Sequence, residues 1–205
     1  MPHPTMRAIS GAAATKTLNA KSAALIVIDF QLEYFDGGQL FIPDGASAMA
    51  YARRLIDFAD AHGMPVFHVQ HLGPAGGPLF AKDGDTVAFH PEMTPGPRHV
   101  VVQKTTASSF ASTDLHAQLQ AHGIRTLVIC GLMTHMCVST TARDARPLGY
   151  QVLVPGDACA TRDIDAWDGG VVDHATLHRV ALTEVSDSFA EVLPTAAITA
   201  LTVQE

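Results

Sequence analysis

The sequence predicts an α/β fold in which helices cover both faces of a parallel sheet. Its short apolar runs carry hydrophobic residues at consecutive positions, as strands do when both faces of their sheet are buried. These runs alternate with segments whose apolar residues recur at helical spacing. In such sheets the crossovers are right-handed, and functional sites form beyond the carboxyl ends of the strands.

Six apolar runs predict the strands, and the amphipathic segments between them predict the helices. The strands are predicted at residues 23–29, 65–70, 98–103, 124–130, 150–154 and 189–193. The helices are predicted at residues 46–62, 114–122, 138–148 and 171–183, with one more after Pro194. Gly63 and Gly123 end the first two helices, a position that favours glycine. The connection over residues 71–97 is long enough to predict a functional or disordered loop.

The composition is that of a globular protein, with 205 residues of which 47% are hydrophobic and 16% charged. We expect a flexible tail over residues 1–20 and a single domain over residues 21–205. A formal net charge of −7 argues against a nucleic-acid partner, and no apolar run is long enough to predict a membrane span. Residues 1–14 contain no long apolar segment, so we expect no secretion signal. Three cysteines without CxxC spacing predict neither a disulfide framework nor a structural zinc site, so we expect a cytoplasmic location.

Cys137 is the strongest candidate for a reactive residue. It follows the apolar run that ends at Cys130 and precedes a predicted helix, so we expect its thiol at or near a helix N-terminus. Unpaired N–H groups and the helix dipole favour a thiolate there, whereas a free thiol has a pKa of about 8.5. The alternative is a small buried hydrophobic residue, the usual role of a free cysteine, and Cys130 fits that role better.

Two charged residues follow other predicted strands. Asp29 closes the first strand, and Lys104 follows the third. A carboxylate at the edge of a buried layer is costly unless it is paired, and Lys104 is the natural partner. An aspartate near a thiol accepts its proton, and a nearby lysine stabilises the thiolate, which predicts an activated nucleophile. A purely structural salt bridge at the sheet edge is the alternative for this pair.

Four segments, in order along the chain, resemble one known family. They read VIDFQ at residues 27–31, VQK at 102–104 with SSF at 108–110, GLMTHMCV at 131–138 and DACAT at 157–161. By these motifs the chain resembles the isochorismatase-like superfamily of cysteine hydrolases, which includes nicotinamidases, N-carbamoylsarcosine amidases and isochorismatases. The resemblance extends from about Ala23 to the C-terminus.

The resemblance implies a three-layer α/β/α sandwich of Rossmann type, with a six-stranded parallel sheet in the order 3-2-1-4-5-6. It implies that Asp29, Lys104 and Cys137 form a catalytic triad. It further implies a non-proline cis peptide between Leu132 and Met133, which would direct the N–H groups of Met133 and Cys137 at a developing oxyanion. The inferred reaction is acyl transfer through a thioester, which needs no cofactor. A homo-oligomer, either a dimer or a tetramer, is also expected.

Departures from the family motifs narrow the expected substrate. Nicotinamidases hold a metal with an Asp-x-His pair after the second strand, whereas residues 68–73 here read HVQHLG, so we expect no metal. Isochorismatases proper cleave a vinyl ether without needing the thiol, and Cys137 therefore favours cleavage of a C–N bond in a small amide, ureide or carbamoyl compound. A vinyl-ether hydrolase and a non-catalytic binding protein on the same fold are the alternatives.

Residues in the predicted loops and turns are candidates for binding a small-molecule substrate. A bulky aromatic residue in such a loop either lines a pocket or covers the core, and we favour the pocket for Phe35 and Trp167. The full set of substrate-binding candidates is Gln31, Phe35, His71, Phe110, His135 and Trp167. Cys159 lies in the last family motif, and the resemblance implies a structural role for it beside the site.

Overall fold

The computed structural model describes residues 3–204. The strands in this range are β1 (Thr17–Asn19), β2 (Ala23–Ile28), β3 (Val66–His71), β4 (Val100–Lys104), β5 (Thr126–Leu132), β6 (Gln151–Pro155), β7 (Cys159–Ala160), β8 (Ile164–Asp165), β9 (Val171–Val172), β10 (Glu191–Leu193) and β11 (Thr202–Gln204). The α-helices are α1 (Met6–Ile9), α2 (Gly45–Ala61), α3 (Leu115–Ala121), α4 (Ser139–Ala145), α5 (His174–Ser188) and α6 (Thr195–Thr199). None of these helices is long and apolar enough to cross a bilayer.

The main sheet confirms the predicted fold class and strand order. Its strands run in the order β4-β3-β2-β5-β6-β10, and every neighbouring pair is parallel. These six are the six predicted strands, so the order along the sheet is 3-2-1-4-5-6. The short strand β7 extends the sheet beside the end of β5, where Gly131 is opposite Cys159.

The central strands are apolar because helices cover both faces of the sheet. All six residues of β2 are buried, as expected for the strand between β3 and β5. Helix α2 packs against β2, β3 and β5 and lies beside α6, whereas α4 packs against β6 and lies beside α5. The chain enters the sheet at β2, and the order reverses between β2 and β5, which is where such folds place their sites.

The first 20 residues differ from the flexible tail that the sequence predicted. Within the described part of this segment, Met6–Ile9 forms α1, and Thr17–Asn19 pairs in parallel with β11. Leu18 is 1% exposed, so β1 is held by burial of its central side chain as well as by its ladder. The partner strand is near the other end of the chain, a long-range pairing that local sequence patterns do not reveal.

The helix predicted from residue 171 begins later. Val171–Val172 instead forms β9, which pairs with β8 in a hairpin whose turn contains Gly169 and Gly170 at positive φ. Helix α5 begins only at His174, because Asp173 caps it by accepting a hydrogen bond from the N–H of Thr176.

Candidate active site

Three side chains converge at the carboxyl ends of the central strands. Asp29 directly follows β2, Lys104 is the last residue of β4, and Cys137 lies after β5. The Lys104 Nζ atom is 2.8 Å from Asp29 Oδ2 and 3.2 Å from Cys137 Sγ. Asp29 and Lys104 are fully buried, and Cys137 is 5% exposed. The structure therefore brings together the acid, the ammonium group and the thiol that were expected from the sequence.

The backbone at the end of β2 and β5 explains how these groups approach one another. Asp29 has a φ of +54°, a left-handed conformation that aspartate tolerates better than most residues, and the chain turns sharply there. On the neighbouring strand, Gly131 has a φ of +135°, and a Cβ atom at this position would overlap the backbone oxygen of Ile28. Only glycine allows β5 to pass this close to the end of β2.

Cys137 lies in a π-helical turn directly before α4, and not in the first turn of that helix. The Leu132–Met133 peptide bond is cis, and Thr134–Val138 then forms a single π-helical turn before α4 begins at Ser139. Within this turn the carbonyl of Met133 accepts the N–H groups of Met136 and Val138, at 3.1 and 3.3 Å. A π-helical turn is frequently found at functional sites.

Burial dominates the electrostatics of the thiol. It raises the pKa of Cys137 to about 12, and the negative charge of Asp29 acts in the same direction, whereas Lys104 opposes both. Burial also raises the pKa of Asp29, against the effect of the Lys104 charge. For Lys104, burial lowers the pKa, but the interactions with Asp29 and Cys137 outweigh burial, so the pKa is raised. The site therefore keeps the proton on sulfur at rest, which differs from the resting thiolate that the sequence predicted, and places a basic carboxylate beside it.

Two of the predicted substrate-binding residues, Gln31 and His71, make hydrogen bonds within the protein beside Lys104. Gln31 is fully buried, and its side-chain amide makes two hydrogen bonds to the backbone of His71. Its Oε1 accepts from the His71 N–H at 2.8 Å, and its Nε2 donates to the His71 carbonyl oxygen at 2.9 Å. The same Nε2 donates to the carbonyl of Val87. His71 in turn places Nδ1 3.1 Å from Lys104 Nζ. Gln31 therefore positions β3 and the following loop, because its polar atoms are occupied inside the protein.

The aromatic candidates are in different surroundings. Phe35 lines a cleft of about 370 Å³ beside His90, and neither Asp29, Lys104 nor Cys137 lines this cleft. Phe110 stacks on Tyr150, the residue before β6, with the ring centroids 6.0 Å apart. Trp167 is 96% exposed in the connection between β8 and β9. The surroundings of these three rings depend on the direction of each side chain, which sequence position alone does not give.

The π-helical turn is held by polar contacts from two other segments. His135 places Nδ1 2.5 Å from the hydroxyl of Thr161, and the hydroxyl of Thr134 is 2.8 Å from Nδ1 of His178 on α5. Burial lowers the pKa of His135, and the nearby Arg162 charge adds to that effect, so the ring is neutral near pH 7. His135 therefore shapes the turn that carries Cys137.

Arg162 is a polar group near the site that the sequence reasoning missed. Its Nε atom is buried without a hydrogen-bond partner, and the only partner described for its guanidinium is the carbonyl of Asp163. Arg162 follows Thr161, whose hydroxyl contacts His135 in the turn that carries Cys137. The Arg162 charge affects the pKa values of Tyr34 and His135. The available signal was its position directly after the DACAT motif.

The remaining cysteines and the histidines form no metal site among the described residues. Cys130 and Cys159 are buried, and burial raises the pKa of Cys159 to about 12 and that of Cys130 well above its usual value. Over residues 3–204, no group of three or more histidine, cysteine, aspartate or glutamate side chains is arranged to hold a metal ion.

Comparison with known proteins gives the family. Residues 23–197 match the model of the isochorismatase domain. A streptothricin hydrolase of Streptomyces noursei is 36% identical over 85% of this chain and 69% of its own length. A ureidoacrylate amidohydrolase of Variovorax paradoxus is 30% identical over 80% of this chain and 76% of its own length. The crystal structure of an isochorismatase from Pseudomonas putida superposes with a TM-score of 0.88 at 37% identity, covering 96% of this chain and 99% of that one. On the domain match, the sequence identities and the shared fold, the chain belongs to the isochorismatase family and is a hydrolase.

Proposed function

We propose that this hydrolase cleaves a C–N bond in a small amide, ureide or carbamoyl compound through a thioester on Cys137. The observation that carries the proposal is the contact of one ammonium group, Lys104 Nζ, with both Asp29 Oδ2 and Cys137 Sγ. This arrangement combines a nucleophile, a base for its proton and a cation that stabilises whichever of the two is negative.

In the proposed reaction, Asp29 takes the thiol proton as the sulfur of Cys137 attacks the substrate carbonyl carbon. The N–H groups of Met133 and Cys137 stabilise the oxyanion, and one such donor typically contributes about 100-fold or more in rate. The tetrahedral intermediate collapses when Asp29 gives its proton to the leaving nitrogen. Asp29 then deprotonates a water molecule that attacks the thioester, and the released sulfur recovers a proton. These steps use only groups of the chain and water.

Arg162 supports a substrate that carries an acidic group. Its buried Nε has no partner, and no carboxylate forms an ion pair with its guanidinium among the described residues. A guanidinium with free donors is well suited to a carboxylate. The name of the ureidoacrylate amidohydrolase describes a substrate of this kind for that relative. Replacing Arg162 by Gln should raise KM for acidic amides and leave KM for neutral amides unchanged.

The deciding experiment is a screen of small amides, ureides and carbamoyl compounds with the native protein and the Cys137→Ala variant. We expect the variant to lose the activity, and mass spectrometry of the quenched native enzyme to show one acyl group on Cys137. A matched Cys159→Ala variant should keep the activity, because that thiol donates to the carbonyl of Pro155, whereas Lys104 contacts the thiol of Cys137. Amide cleavage that survives in the Cys137→Ala variant would contradict the thioester mechanism. A vinyl ether that both proteins cleave equally well would instead support the vinyl-ether alternative.

A non-catalytic protein on this fold would behave differently towards alkylation. We expect iodoacetamide to label Cys137 faster than Cys130 and Cys159, as judged by peptide mass mapping at neutral pH. Equal labelling of the three would support the binding-protein alternative. A cytoplasmic location and assembly as a dimer or tetramer belong to the same proposal, and a sedimentation experiment tests the latter.

A further inference from the structure

The Lys104 ammonium group has more neighbours than it has hydrogens. Its Nζ atom lies 2.8 Å from Asp29 Oδ2, 3.2 Å from Cys137 Sγ, 3.1 Å from His71 Nδ1 and 3.1 Å from the carbonyl oxygen of Thr106. An ammonium group donates three hydrogen bonds. Four acceptors therefore compete for three hydrogens in a buried site.

These four acceptors fall into two kinds. His71 Nδ1 and the Thr106 carbonyl are neutral and keep the same charge throughout the proposed reaction. Asp29 and Cys137 exchange a proton, so the negative charge moves from one to the other. Two permanent acceptors would fix two ammonium hydrogens and leave the third between the two groups that react.

We propose that His71 is a positioning residue for this hydrolysis: it holds one hydrogen of Lys104 so that a single remaining hydrogen follows the negative charge from Asp29 to Cys137. The inference rests on the proposed function. It assigns His71 a role through Lys104, in place of the substrate contact predicted from the sequence.

The surroundings of His71 suit a fixed acceptor. Gln31 holds its backbone at both the N–H and the carbonyl, and the ring packs edge-on against Phe80 with the centroids 5.1 Å apart. Burial and the Lys104 charge lower the pKa of His71 to about 4, against the effect of the Thr106 carbonyl, so the ring is neutral near pH 7. The role proposed for His71 requires the tautomer with a bare Nδ1, which is the one that can accept a hydrogen bond from Lys104. Lys104 is the charged group in contact with the ring, and Lys104 in turn contacts Asp29 and Cys137.

The structure also shows where a freed hydrogen would go. Asp29 Oδ1 is buried and has no hydrogen-bond partner, whereas a neutral thiol is a weak acceptor. Without His71, we expect Lys104 to donate twice to Asp29. A carboxylate that accepts two such bonds is a weaker base, so it removes the Cys137 proton less readily.

The test compares two variants of the same residue. His71→Leu removes the acceptor, and His71→Asn restores one, because its Oδ1 lies close to the position of Nδ1. We expect His71→Leu to lower kcat by about 10- to 100-fold, the range for losing a hydrogen bond to a charged group, with KM changed less than about threefold. We expect His71→Asn to recover most of kcat. His116→Leu is the matched control, since His116 is also half-buried and its Nδ1 hydrogen-bonds the hydroxyl of Tyr150.

Alkylation of Cys137 gives a second measurement that needs no substrate. The rate of labelling by iodoacetamide against pH should shift to higher pH in His71→Leu and return towards the native profile in His71→Asn. Superimposed native and His71→Leu profiles in folded proteins would overturn the proposal, as would a rise in KM with kcat unchanged, which indicates a substrate contact. If no amide is hydrolysed but the profile shifts, the proposed function fails while the coupling of His71 to Lys104 stands.

Nitrogen NMR of the native protein tests the premise without any variant. We expect the His71 signals at neutral pH to be those of a ring with a bare Nδ1 and a protonated Nε2. A protonated Nδ1 would overturn the proposal, because that nitrogen could not accept from Lys104.

Discussion

The buried pair of Asp29 and Lys104 allows a quantitative test of how the site affects stability. Both side chains are fully buried, and the charged atoms are 2.8 Å apart. At an effective dielectric constant of about 20, two unit charges at that distance attract by about 6 kcal/mol. Removing one partner leaves the other charge buried alone, which typically costs about 3–5 kcal/mol.

We therefore expect Asp29→Asn alone, or Lys104→Met alone, to lower the free energy of unfolding by about 3–5 kcal/mol. In a chain of this size that corresponds to a melting temperature lower by about 6–20 °C. The double variant should be about as stable as the native protein, or more stable by about 1–4 kcal/mol, because it buries no charge at this position. If the two substitutions acted independently, their losses would instead add to about 6–10 kcal/mol in the double variant.

Urea unfolding of the four proteins measures these values from the midpoints at a constant slope. The Asp29→Asn variant has a further signature. It lacks the Asp29 charge, the largest of the effects that raise the pKa of Lys104 against burial, so this pKa should be lower than in the native protein. The folded variant then holds the Lys104 proton less tightly, and its stability relative to the native protein should rise with pH from 7 towards 10. Additive losses in the double variant, or single variants as stable as the native protein, would refute the reasoning.

Three further predictions concern other parts of the fold. Gly131→Ala should lower the free energy of unfolding by about 3 kcal/mol or more, because its Cβ atom would overlap the backbone of Ile28. Gly123 also has a positive φ but has open space around it, so Gly123→Ala should cost about 1 kcal/mol. Equal losses in chemical denaturation would contradict the steric explanation. Burial alone would raise the pKa of Glu33, but hydrogen bonds from the hydroxyl of Thr86 and from two backbone N–H groups lower it. The native protein should therefore be more stable than Glu33→Gln by a constant amount above pH 4.5. This difference should shrink below pH 4.5, as measured by thermal melts. Trp167→Ser should change the free energy of unfolding by less than about 0.5 kcal/mol in the separated chain, and a loss above about 1 kcal/mol would show that the ring is covered in solution.

Much of the fold was predictable because its central strands are buried on both faces. Runs such as residues 23–29 indicate such strands directly, and the structure places β2 there within one residue. Asp29, Lys104 and Cys137 were predictable for a related reason, since each follows an apolar run and the carboxyl ends of parallel strands meet at one edge. The strand order came from the family motifs, because periodicity alone does not give it.

What could not be predicted depends on long-range packing. Phe110 was expected at the site, but its ring turns towards Tyr150, and no local pattern gives that direction. The pairing of β1 with β11 joins segments about as far apart in sequence as the chain allows. The state of the Cys137 thiol was also misjudged, because its burial and the nearby Asp29 charge outweigh the help expected from a helix N-terminus.

The turn after β2 has a consequence for how this enzyme can diversify. Gln31 binds the backbone of His71 and Val87, and Glu33 accepts the backbone N–H groups of Gln39 and Phe80 as well as the hydroxyl of Thr86. All but one of these contacts are to main-chain atoms, which every residue type supplies. Evolution can therefore exchange the exposed side chains along residues 72–97 without loss of these contacts, while Asp29, two residues before Gln31, keeps its place.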